Sequence, residues 1–222
     1  MTTPEHDSVS IKNDFIEAFV ILYAPCGMKG ISVNTLCARA GYSRSTFYRT
    51  FYSLDNVLEE LEDTALPTDA MDTLLENAND IGMETFSKVF LSSLTWRKDF
   101  YRVLFLHDKE SRFFNKCRKL MFPVFKSQVQ RVLDMTEFEY NVLTEYLTTA
   151  KVTLLRMWAV HPSELSLAHI TKITDSTLEG ALWDKVEEAY RAKQNGAPHK
   201  RTTLDELSAK RPWIAYRYDA NE

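Results

Sequence analysis

Apolar residues recur along most of this chain with the spacing of an amphipathic helix. Ile11, Phe15, Ala18, Phe19 and Leu22 form one stripe over residues 11–24. From Met83 onward Phe86, Val89, Phe90 and Leu94 give a second, and Phe100, Val103, Leu104 and Leu106 a third. A longer stripe runs from Phe113 through Cys117, Met121 and Phe125 to Val129, with Pro123 expected to kink it. Residues 138–161 carry Leu143, Leu147, Leu154, Met157 and Trp158. After Pro162 a last helix, opened by Ser163, is expected through Ile170, Leu178, Leu182, Trp183 and Val186, closed by Gly196 and Pro198. No segment alternates with period two for long, so the pattern predicts an all-α protein.

Between the first stripe and the later ones, residues 32–58 read differently: two short helices, a tight turn and a third helix. Leu36, Cys37 and Ala40 share one face of the first short helix, and Phe47 and Phe51 the inner face of the second. Gly41 supplies the backbone freedom the turn requires. Ser32, Ser43 and Ser53 each stand where an N-cap is needed. This is the layout of a helix-turn-helix, whose second helix enters a DNA major groove. That helix turns Arg44, Ser45, Thr46, Tyr48 and Arg49 outward, a set of cations, hydroxyls and a phenol that suits phosphates and base edges.

Residues 11–62 resemble the DNA-binding domain of the tetracycline-repressor (TetR/AcrR) family. The resemblance runs without a gap through Phe15, Ala18, Leu22, Tyr23, Gly27, Ser32-Val33, Leu36 and Ala40-Gly41-Tyr42-Ser43. It continues through Ser45-Thr46-Phe47-Tyr48-Arg49, Phe51, Ser53 and Val57-Leu58. Leu54 stands where that family usually has a phosphate-contacting lysine, Thr50 where histidine is common and Cys37 where alanine is usual. Pro25 is expected to end the first helix early. The resemblance implies DNA contact from Ser32, Val33, Ser43, Arg44, Ser45, Thr46, Tyr48 and Arg49. It also implies a homodimer formed by the last two long helices, and a small-molecule effector bound in the regulatory domain.

The expected organisation is a helix-turn-helix domain over 1–66, a larger helical effector-binding and dimerisation domain over 67–196, and an extension over 197–222. Pro67 marks the first boundary. The extension contains Leu204, Leu207, Trp213, Ile214, Tyr216 and Tyr218, too aromatic for plain disorder, and is expected to dock on the regulatory domain or a second subunit. Residues 1–10 lack Lys and Arg, so no basic minor-groove arm is expected, and they read as a frayed terminus.

Composition sharpens this picture in two places. With 222 residues, 45% of them hydrophobic, the chain can bury a substantial core. No apolar run reaches membrane-spanning length, so no membrane partner is expected, and three cysteines without a CxxC pair read as reduced thiols of a cytoplasmic protein. The net charge of −4 looks wrong for a DNA binder until it is localised. Over residues 11–53, Lys12, Lys29, Arg39, Arg44 and Arg49 face only Asp14 and Glu17, and distribution rather than total charge governs phosphate attraction. Residues 97–131 are more basic still, with ten Lys and Arg against Asp99, Asp108 and Glu110. That run is read first as a solvated face and otherwise as a means of attracting an anionic effector or flanking DNA.

Catalytic and metal sites are not expected. No HExxH, phosphate-binding loop or nucleophile elbow occurs, and the histidines read as capping or solvated. The chain is therefore read as a non-enzyme without cofactor. Phe86, Phe90, Phe113, Phe125 and Trp158 are the candidate lining of an apolar effector cavity. The functional expectation is a ligand-responsive repressor that binds a near-palindromic operator as a dimer. Leu54, the missing arm and the thin positive charge point instead to the alternative, a TetR-like adaptor acting by protein contact.

Overall fold

The computed structural model describes residues 4–95, 98–108, 110–175, 178–203 and 206–207. The described residues are all-α, with an isolated bridge between Leu133 and Thr202. They form two compact units, bounded Met1–Leu66 with Arg97–Phe113 and Pro67–Trp96 with Phe114–Glu222.

In the first unit α1 (Pro4–Cys26) packs against α2 (Val33–Ala40), α3 (Arg44–Thr50), α4 (Leu54–Ala65) and α7 (Lys98–His107). The helix α1 is longer at both ends than its stripe suggests. Pro4 suits a first helical position, where a missing N–H costs nothing, and Pro25 sits so near the end that little ladder remains to break. Phe15, Phe47 and Phe51 are fully buried and meet mostly edge-on, with Phe15 at 5.6 Å from Phe47 and 6.0 Å from Phe51. Residues 98–107, read from sequence as part of the regulatory domain, lie in this unit, where the rings of Tyr101 and Phe105 pack at a tilt against Phe113. His107 Nε2 lies 2.9 Å from the Ala24 carbonyl, so its ring closes the end of α1, while the Asp108 carboxylate accepts the Phe113 N–H at 3.1 Å.

The second unit contains α5 (Thr68–Glu76), α6 (Met83–Thr95), most of α8 (Arg112–Val132), α9 (Glu137–Val160), α10 (Leu167–Asp175) and α11 (Leu178–Gln194). The helix α5 has no counterpart among the expected elements. It holds buried Met71 and Leu74 on a single turn-and-a-half of stripe. After the turn at 161–166 the described residues are helical as α10 and α11, and residues 176–177 between them lie outside the described residues. Glu164 and Leu165 donate to the His161 carbonyl, and Ser166, not Ser163, caps α10 by accepting the His169 N–H at 3.1 Å. Pro123 lies inside α8, which continues through it.

Buried polar links tie this unit together. Arg131 Nη1 donates to the Ala78 carbonyl at 2.9 Å and Gln128 Nε2 to the same oxygen at 3.2 Å, satisfying the turn after α5. The start of the extension docks here too. Thr202 N–H donates to the Val132 carbonyl at 2.8 Å, its carbonyl accepts the Asp134 N–H, and Leu207 is buried. Leu204, Trp213, Ile214, Tyr216 and Tyr218 of the extension lie outside the described residues.

Apolar surface is left over on α9. Phe138 (76% exposed), Val142, Tyr146 (61% exposed) and Met157 follow one another at i,i+4 and longer helical intervals on its outer face. By contrast Trp158, Leu182 and Trp183, on the two long helices from which a dimer is expected, are buried within the unit.

Candidate nucleic-acid interface

The interface is built on three serine caps. Ser32 accepts the Thr35 N–H at 3.1 Å, and Thr35 Oγ1 accepts the Ser32 N–H at 2.9 Å, a reciprocal capping box. Ser43 accepts the Thr46 N–H at 3.2 Å, and Ser53 the Asn56 N–H at 3.2 Å. Between the first two helices Gly41 adopts φ +78°, a left-handed conformation that lets its N–H close on the Cys37 carbonyl. Tyr42 Oη donates to Asp14 at 2.6 Å and anchors the turn to α1, a bond that pushes the phenol pKa above its ordinary value. Burial of Cys37 likewise raises its thiol pKa, consistent with a packing role.

The two sides of α3 differ sharply. Phe47 is wholly buried, whereas Arg44, Ser45, Tyr48 (50% exposed) and Arg49 are exposed and Thr46 is half-buried. Arg44 Nη2 lies 3.5 Å from Tyr48 Oη, and its guanidinium carbon 5.8 Å from the ring centroid, so the two side chains form one preorganised pair. The Ser45 and Thr46 hydroxyls both lie within 3.0 Å of Ser43 Oγ. Tyr52, in the turn between α3 and α4, is an exposed phenol that the sequence did not single out. Lys12 pairs with Glu60 at 2.6 Å, which leaves Lys29, Arg39, Arg44 and Arg49 as the exposed cations of residues 11–53.

Within the second unit a cavity of about 510 Å³ opens among α6, α8, α9, α10 and α11. Phe86, Phe90, Phe125 and Trp183 form its aromatic side, with Phe86 and Phe125 each 5.6 Å from Trp183. Glu84, Lys151, Asp184 and Glu187 supply charge. Gly82 is required beside it, since a Cβ there would sit 2.8 Å from the Tyr190 ring.

No family model matches the sequence, and no curated protein matches it. Solved structures do. A TetR transcriptional regulator from Streptococcus agalactiae 2603V is similar with a TM-score of 0.57 and 19% identity, over 76% of this chain and 93% of that one. The dihydroxyacetone kinase operon activator DhaS is similar with a TM-score of 0.50 and 17% identity, over 85% of this chain and 98% of that one. This chain has the TetR-family fold.

The expected DNA-facing residues fall on two elements: Ser32 and Val33 at the start of α2, and Ser43, Arg44, Ser45, Thr46, Tyr48 and Arg49 at and along α3. Of the expected cavity residues, Phe86, Phe90 and Phe125 line the space. Phe113 does not, because it packs 4.9 Å from Phe105 in the first unit, and Trp158 is buried elsewhere in α9. Trp183 takes the place expected of Trp158; both lie on late apolar stripes, and only packing distinguishes them. The basic run is largely committed to protein contacts: Arg112 pairs with Glu62, Arg118 with Glu145, Lys126 with Glu137, and Arg131 binds carbonyls. Arg97 and Lys109 lie outside the described residues. Among the described residues no group of His, Cys, Asp and Glu is arranged to hold a metal ion, and no helix is long and apolar enough to cross a membrane.

Proposed function

We propose that this protein is a sequence-specific DNA-binding transcriptional regulator, a non-enzyme that represses from a near-palindromic operator as a homodimer and responds to a small effector. The observation that supports this best is the division of α3 into a fully buried Phe47 and an outer face of Arg44, Ser45, Tyr48 and Arg49. Such a helix, held rigidly from behind, can enter a major groove with its amino end at the base edges. Both solved neighbours bear the names of transcription regulators, and one is named an operon activator, which is said of that protein.

Dimerisation is proposed through the α9 stripe of Phe138, Val142, Tyr146 and Met157, since the apolar residues described on α11 are largely used within the protomer. Two copies of α3 would then lie about one helical turn of DNA apart, or a multiple of it. The cavity of the second unit would couple by differential affinity: an effector that favours one spacing of the α3 helices lowers operator affinity, and the operator lowers effector affinity by the same factor.

The deciding experiment is selection of a binding sequence from a random duplex library, followed by anisotropy titration. Wild type should enrich an inverted repeat. Arg44→Ala should lose about 1–3 kcal/mol and relax preference at one position of each half-site. Failure to enrich any sequence, with binding that is weak and indifferent to the Arg44→Ala change, would reject direct DNA reading in favour of action by protein contact. A reporter carrying the selected site upstream of a promoter reads the sign of regulation.

A further inference from the structure

The chemistry lining the second-unit cavity specifies more than an apolar effector. Its inner side is made of four rings, Phe86, Phe90, Phe125 and Trp183, whose centroids lie 5.6–6.3 Å from their neighbours. Aromatic faces carry negative quadrupole potential and attract cations, most of all desolvated ones. Three carboxylates, those of Glu84, Asp184 and Glu187, share the lining with one cation, Lys151.

The partners of two of these carboxylates lie outside the lining of the cavity. Lys88, paired with Glu84, and Arg191, paired with Glu187 at 2.9 Å, are absent from the lining and have largely exposed side chains, where water screens them. Glu187 is fixed in place: its Oε2 accepts the Met83 N–H at 3.0 Å at the start of α6, beside the close approach of Gly82 to α11. That backbone bond holds its carboxyl below the ordinary carboxylate range, so it is anionic at neutral pH. Asp184 stands three residues earlier, on the same side of α11, and is exposed at the mouth.

From this we propose that the cavity binds a lipophilic monocation, an ammonium or phosphonium whose apolar substituents occupy the aromatic side while its charge lies toward Asp184 and Glu187. The inference rests on the reading of this cavity as the effector site and names the class of ligand it takes. Within the lining an anion of equal size meets three carboxylates and the negative faces of four rings against the charge of Lys151, while Lys88, Arg191 and Arg131 offset Glu84 and Glu187 from outside it. The cavity volume of about 510 Å³ is of the size that small organic ligands fill.

Tetraphenylphosphonium and tetraphenylborate have nearly the same shape and opposite charge, and therefore isolate the claim. Calorimetric titration of the full chain should show saturable binding of the phosphonium, at least about tenfold tighter than the borate, a difference of about 1.4 kcal/mol. Asp184→Asn with Glu187→Gln should narrow that ratio by about tenfold. Asp184→Asn alone, at an exposed position, should narrow it in the same direction even if the double variant folds poorly. Quenching of tryptophan fluorescence by the phosphonium should disappear in Trp183→Phe. Equal or tighter binding of the borate, no saturable binding of the phosphonium, or a ratio indifferent to both carboxylate variants would overturn the proposal. None of these titrations contains DNA. Phosphonium selectivity without any effect on operator binding would thus support the ligand class while rejecting effector control.

Discussion

The rear face of α3 should matter to stability and its front face to binding, and one substitution separates the two. Phe47→Ala removes a fully buried ring that contacts Phe15 at 5.6 Å, Phe51 at 5.9 Å and the Tyr48 ring at 5.2 Å. Truncating a buried phenylalanine costs about 3–5 kcal/mol, the sum of lost transfer energy and an unfilled cavity. The upper part of that range applies, because the neighbours are stiff rings held by α1 and by the cap of α3, which cannot collapse into the gap. A helix of only seven residues has no stability of its own, since isolated helices shorter than about 12–15 residues are marginal in water. Against a typical total of about 5–15 kcal/mol, the loss should leave the first unit partly unfolded at growth temperature.

Differential scanning calorimetry and amide hydrogen exchange across residues 32–58 measure this. Phe47→Ala should lower the melting temperature of the first unit by more than about 10 °C and abolish protection in α3. Arg44→Ala and Tyr48→Phe, at exposed positions, should stay within about 0.5 kcal/mol of wild type while altering DNA binding. Phe47→Leu should recover part of the loss. If Phe47→Ala melted within a degree of wild type, or Arg44→Ala destabilised as much, the assignment of inner and outer faces would be refuted.

Three further outcomes are expected. Because Arg44 and Tyr48 touch, the affinity losses of Arg44→Ala and Tyr48→Phe should sum to more than the loss of the double variant, and Tyr48→Phe alone should weaken all sequences alike with an unchanged salt slope. Val142→Glu with Tyr146→Glu should convert the dimer to a monomer in sedimentation at micromolar concentration without lowering helicity; a monomeric wild type would reject the α9 interface. Glu187, whose folded carboxyl is depressed, should contribute stability that is present above its ordinary value of 4.5 and lost as pH falls through the lower folded value. The acid limb of the melting profile should therefore be shallower in Glu187→Gln.

The helix-turn-helix geometry of the candidate interface was legible in the sequence because its determinants are local. Caps at Ser32, Ser43 and Ser53, a left-handed Gly41 and a single inward Phe47 all act within a few residues of where they stand. What failed to read out depends on the encounter of distant segments. Residues 68–76 form α5 on only Met71 and Leu74, amid Thr68, Asp69, Asp72 and Thr73, too short a stripe for periodicity to declare. Phe113 lies on the same stripe as Phe125, yet one meets Tyr101 and Phe105 and the other Phe86 and Trp183. A stripe gives the buried face of a helix without naming what covers each turn.

Charge is where sequence and structure together say more than either alone. The sequence counts five cations over residues 11–53, and the Lys12–Glu60 pair withdraws one from the surface. If Lys29, Arg39, Arg44 and Arg49 all met phosphates, each would release about 0.9 of a counterion, so the logarithmic salt slope per protomer is bounded near −4. An Arg44 that reads a base edge lowers this contribution further. Much of the electrostatic pull of the 97–131 run is balanced at home, by Glu62, Glu145 and Glu137 and by the carbonyls around Arg131, which limits what that run adds on flanking DNA. Nonspecific attraction should then be weak, and affinity should rest on the fit of α3 to its site. On the proposed DNA-binding reading the net charge of −4 works in that direction: it would disfavour indiscriminate attachment to phosphate and leave discrimination to the Arg44–Tyr48 pair and the hydroxyls around Ser43.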